Sequence, residues 1–138
     1  MSYELSAHVR EEIDAWKVRF PEDQQRSAVI RALHLVQHEN QGWLTAEQMN
    51  AVADYLDLPT IQVYEVGTFY SMFQTREVGR NEVSICTNIS CMLRGADDIV
   101  QHVEGKLGIK TGESTADGKI FLKQEEECIA ACCGEIES

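Results

Sequence analysis

Basic residues are scarce in this chain of 138 residues: 12 Lys and Arg stand against 23 Asp and Glu, a formal charge of -11. That balance excludes nucleic acid as a partner, because phosphate contacts need clustered cations. Long apolar runs are missing as well. Stretches such as Ala28-Val29-Ile30 fall far short of the roughly 20 residues that a bilayer span requires. The start of the chain, Met1 to Ser6, lacks the basic segment and apolar core of a signal peptide, so neither export nor a transit peptide is expected. Prolines number only two, and the first 85 residues hold no cysteine. With 43% hydrophobic and 25% charged residues, wholesale disorder is excluded and a soluble, cytoplasmic globular chain is expected.

The cysteines that are present are all late: Cys86, Cys91, Cys128, Cys132 and Cys133. Residues used only as small core apolar groups would scatter, so clustering of this kind points to a site. An odd count in a chain without an export signal fits poorly with a disulfide framework. Four of them form two pairs, Cys86-x4-Cys91 and Cys128-x3-Cys132. Structural zinc sites usually use the tighter C-x2-C knuckle. The wider spacings suit a two-iron cluster whose irons are each held by one pair of thiolates. Zinc, thiol redox chemistry and inert burial remain open on spacing alone. Redox chemistry of the thioredoxin type would use C-x-x-C, which is absent. A bond between the adjacent Cys132 and Cys133 would be strained, which makes Cys133 a bystander.

The N-terminal half reads as four helices. Leu5, Val9, Ile13, Trp16 and Phe20 make an amphipathic stripe over 3–19. Pro21, followed by Glu22 and Asp23, opens a second helix that Asn40 and Gly42 stop. Thr45-Ala-Glu-Gln48 is a capping box that starts a third, running to about Leu56. Asp57-Leu-Pro59 breaks the chain before a fourth over 60–73, apolar nearly all round and so expected to be buried in this chain or against a partner.

Beyond Gly79 the pattern changes. Glu82 to Cys86 alternates as a strand ending at the first cysteine. Cys91 begins a helical segment, with the helix expected over 92–107 and Gly108 as its stop. Asp117-Gly118 signals a turn before a second strand over 119–123. The acidic run over 124–127 leads into Cys128 and reads as a solvated face. Cysteine pairs thus sit at the carboxyl ends of both strands, where sites gather in open α/β sheets. Thr87, Asn88 and Ser90 can aim amides and hydroxyls at sulfur, and Arg94, one turn past Cys91, adds positive charge. His34 and His38 stand at helical i, i+4 spacing, but no carboxylate motif accompanies them, so a surface or half-buried role is expected. Neither a Ser/His/Asp set nor a P-loop nor a G-x-G-x-x-G loop occurs, so an electron carrier built this way needs a partner that holds the nucleotide.

Three segments carry a resemblance: Tyr64-Glu-Val-Gly-Thr-Phe-Tyr-Ser-Met-Phe73, Val83-Ser-Ile-Cys-Thr-Asn-Ile-Ser-Cys-Met-Leu-Arg-Gly95 and Glu127-Cys-Ile-Ala-Ala-Cys132. Together they resemble the small [2Fe–2S] subunit of the NADH-oxidising module of respiratory complex I, over about Leu5 to Cys132. The resemblance implies an α+β chain, with a helical bundle over 1–76 and a thioredoxin-like α/β domain over 77–138. It implies one [2Fe–2S] cluster on Cys86, Cys91, Cys128 and Cys132, and no independent catalytic site. The expected partner is a larger subunit that carries FMN and oxidises NADH, placing the chain at the cytoplasmic side of an inner membrane through its complex. NAD-linked formate dehydrogenases and hydrogenases use equivalent subunits, and a zinc-stabilised interaction module is the alternative from a different class. The family's last strand and closing helix have no counterpart after Cys133, so the second domain is expected to be cut short.

Overall fold

The computed structural model describes residues 3–128 and 130, so Cys132 and Cys133 lie outside the described residues. Two compact units divide the chain, residues 1–77 and 78–138. The first is helical: α1 (Ala7–Lys17), α2 (Val29–Glu39), α3 (Ala46–Tyr55) and α4 (Thr60–Phe69). The second alternates strand and helix: β1 (Asn81–Cys86), α5 (Ile89–Leu93), α6 (Ala96–Leu107) and β2 (Ile120–Glu125). Among the described residues no helix is long and apolar enough to cross a membrane.

Local chemistry explains the helix starts. Ser6 caps α1 by accepting the Val9 amide, and Val9 and Ile13 on its apolar stripe are buried. Thr45 and Gln48 form the expected capping box: the Gln48 amide donates to Thr45 Oγ1 at 3.2 Å, and the Thr45 amide donates to Gln48 Oε1 at 2.9 Å. Leu33, Val36, Leu44, Val52 and Val63 close the core of this unit with no exposed surface. Each fully buried aliphatic side chain contributes about 1.5–3 kcal/mol relative to exposure.

Several boundaries differ from those the sequence predicts. Pro21 does not open an α-helix directly. A short 3-10 turn over Gln25–Ala28 intervenes before α2, and the Gln25 side chain occupies the Glu22 carbonyl at 3.1 Å. The fourth helix stops at Phe69, because the segment after it bonds elsewhere: Gln37 Nε2 donates to the Met72 carbonyl, the Gln74 amide donates to Gln37 Oε1, and the Leu44 amide donates to the Gln74 carbonyl. Nor is α4 buried all round. Val63 and Gly67 face the core, while Ile61 and Phe69 are exposed. The helix expected over 92–107 is two helices, parted at Gly95, whose φ of 99° lies in the left-handed region.

In the second unit β1 and β2 pair in parallel, from Asn81 opposite Ile120 to Cys86 opposite Glu125. The second strand therefore runs two residues beyond its predicted end, through Gln124 and Glu125. Gly79 leads into this sheet, and a Cβ there would lie 2.6 Å from the Ile120 carbonyl carbon, too close for any other residue without backbone movement. A turn over Thr115–Gly118, closed by the Gly118 amide on the Thr115 carbonyl at 2.9 Å, returns the chain to β2. Among the described residues the buried apolar set of this unit is small: Ala96, Val100, Phe121 and Leu122.

Candidate metal centre

Parallel pairing brings the ends of β1 and β2 side by side, and the ladder continues past both strands. The Thr87 amide donates to the Glu125 carbonyl at 2.9 Å, and Thr87 Oγ1 donates to the same oxygen at 3.3 Å. Asn88 Nδ2 donates to the Glu126 carbonyl at 2.9 Å. Cys86 Sγ lies 4.0 Å from the carbonyl oxygen of Glu127, the residue before Cys128. The loop after β1 is thus stitched residue by residue to the loop that carries Cys128. Thr87 is itself held by Gln124 Nε2 at 3.0 Å.

Cys91 sits in the first turn of α5, which Asn88 precedes with extended backbone. Its position there follows from the turn that Asn88 starts: the Met92 amide donates to the Asn88 carbonyl at 2.8 Å. Cys86 and Cys91 are half-buried and Cys128 is exposed. After Cys128 the backbone turns through a left-handed Ala130, φ 57°. That turn aims the Ala130 amide at Cys128 Sγ, 3.4 Å away. Backbone N–H donors aimed at sulfur are the kind of outer contact that orients ligand cysteines in metal centres.

Of the predicted outer residues, Thr87 and Asn88 bond the neighbouring loop, where sequence reasoning aimed them at sulfur. Ser90 and Arg94 are exposed beside Cys91. The acidic run also differs from expectation. Glu125 is buried in β2, with Lys123 Nζ 2.9 Å from its carboxylate, whereas Glu126 and Glu127 are exposed. Strand pairing with β1 is the reason. The available signal was Lys123 two residues before Glu125, hence on the same face of a strand.

His34 and His38 lie on α2 along an open groove shared with His8, Glu12 and Arg31. The His34 ring packs 4.9 Å from Phe73. Burial, then the nearby Arg31 charge, pushes its pKa below the ordinary 6.5 and favours the neutral ring. Among the described residues no three His, Cys, Asp or Glu side chains converge into a set that would hold a metal ion. The cysteines at the strand ends are therefore a partial donor set of soft sulfurs, one with an amide aimed at it. That chemistry fits an iron–sulfur cluster or zinc and excludes hard cations, which take oxygen ligands.

Comparison with known proteins decides between these. The family model of thioredoxin-like [2Fe–2S] ferredoxins matches residues 13–135. This chain belongs to that family. Its helical first unit and its small parallel sheet agree with the α+β class read from the sequence. Among similar proteins, the NADH-quinone oxidoreductase E subunit of Rickettsia bellii (strain RML369-C) is 44% identical over 114 residues, covering 83% of this chain and 68% of that protein. Its counterpart in Rickettsia felis (strain ATCC VR-1525 / URRWXCal2), of the same name, matches to the same extent. That of Rickettsia prowazekii (strain Madrid E) is 41% identical over 114 residues and is covered to 64% of its length.

Proposed function

We propose that this chain is the one-electron-carrying [2Fe–2S] subunit of the NADH-oxidising module of an NADH:quinone oxidoreductase. The observation that carries this reading is the family match across 13–135, which spans both units and both cysteine pairs. When bound, a [2Fe–2S] cluster supplies reversible storage of one electron. Cys86, Cys91, Cys128 and Cys132 would hold it. Thr87 and Asn88 keep the two ligand loops at a fixed spacing through the Glu125 and Glu126 carbonyls. The Ala130 amide is aimed at Cys128 Sγ, and Arg94 adds a cation near Cys91. The electron comes from a larger partner subunit that carries FMN and oxidises NADH, and the parent complex sits peripherally on a membrane. Relatives named as the E subunit of NADH-quinone oxidoreductase support this assignment.

The test is isolation of the tagged chain under anaerobic conditions from its native cells. FMN and NADH:ferricyanide activity are expected to co-isolate with it. A cluster-bearing chain that isolates without any flavin-containing subunit would contradict the assignment.

A further inference from the structure

Lys123 lies outside both cysteine pairs, on the strand that leads to Cys128. Pairing places Cys86 opposite Glu125 and Ser84 opposite Lys123. Paired residues share a sheet face, so Cys86, Glu125, Lys123 and Ser84 stand on one face at the site end of the sheet. Lys123 Nζ lies 2.9 Å from Glu125 Oε2 and 3.9 Å from Glu82 Oε1. The Lys123 and Glu125 side chains are 17% and 10% exposed, so water and salt screen this pair poorly. Glu82 is held in turn by Ser84 Oγ at 3.0 Å. The exposed Glu126 and Glu127 are screened by solvent and matter less.

We propose that Lys123 is a positioning residue for the electron-carrying centre: it neutralises the buried Glu125 carboxylate beside Cys86 and thereby sets the reduction potential. This inference rests on the reading of the chain as a [2Fe–2S] carrier. Gaining one electron makes the centre one unit more negative, and a nearby buried carboxylate opposes that gain. A cation on the carboxylate offsets the opposition.

The experiment is a dithionite titration of the purified, cluster-loaded chain, followed by electron paramagnetic resonance. Lys123→Gln should lower the ratio of reduced to oxidised centre at fixed potential about tenfold, which for one electron is a downward shift of about 59 mV. Glu125→Gln should shift it upward, and Lys123→Arg should leave it near the wild type. If Lys123→Gln does not hold the cluster, Glu125→Gln and Lys123→Arg still decide the matter, since only a charge role separates them in this direction. Cluster-loaded Glu125→Gln protein with the wild-type potential overturns the inference alone. A wild-type chain that binds no cluster overturns the underlying reading and the inference with it.

Discussion

At the scale of single residues, the proposed ligand set separates Cys132 from Cys133 despite their adjacency. The first completes a C-x3-C pair with Cys128 and the second has no partner at that spacing. Cys132→Ser should abolish or distort the electron paramagnetic resonance signal, and Cys133→Ser should leave it intact. Loss of the signal in Cys133→Ser alone would reverse the assignment. His34 supplies a second residue-scale expectation. Its pKa in the fold is lowered by burial and by Arg31, so the folded chain binds fewer protons there than the unfolded chain. This group therefore costs stability as pH falls below 6.5 towards its lowered folded value, and contributes no pH dependence well above that range. Urea unfolding at a series of pH values should show less acid sensitivity for His34→Gln than for the wild type. Identical pH profiles would contradict the assignment.

At the scale of elements, the capping box of α3 is a local device with a measurable share of stability. Thr45→Ala removes the acceptor for the Gln48 amide at a helix start whose Gln48 side chain is buried. The expected loss is about 1 kcal/mol, read as a lower urea midpoint with an unchanged slope. A midpoint equal to the wild type would show that the box adds nothing. Elements of this kind were legible in the sequence because their chemistry lies within four residues. Thr45 and Gln48 needed no information from elsewhere, and the buried stripe of Val9 and Ile13 needed only helical periodicity.

What escaped the sequence depended on distant partners. The end of α4 is set by Gln37, a residue on another helix that captures the Met72 carbonyl and the Gln74 amide. Likewise, Glu125 reads as part of an acidic surface run until β1 is placed beside it. Only the register of Cys86 with Glu125 makes it a buried, ion-paired strand residue. The proposed metal centre rests on cysteine spacing, because ligand geometry restricts spacing directly. The bonding of Thr87 and Asn88 to the loop of Cys128 could not be read without knowing that the two strands run parallel.

At the scale of the whole molecule, the two units are built on different reserves. The helical unit closes a core of fully buried aliphatics such as Leu33, Val52 and Val63. The unit with the cysteines shows a much smaller apolar set among its described residues, of which Phe121 and Leu122 are the most deeply buried. A domain with little buried apolar surface gains from a metal centre, because ligation free energy adds to folding free energy. The strand ends, the stitched loops and the Lys123–Glu125 pair are proposed to serve one centre, a [2Fe–2S] cluster. Iron and acid-labile sulfide analysis of the anaerobically purified chain tests this most directly. A brown protein with equal iron and sulfide is expected, giving a rhombic electron paramagnetic resonance signal on reduction. A colourless protein holding stoichiometric zinc and no labile sulfide would contradict it.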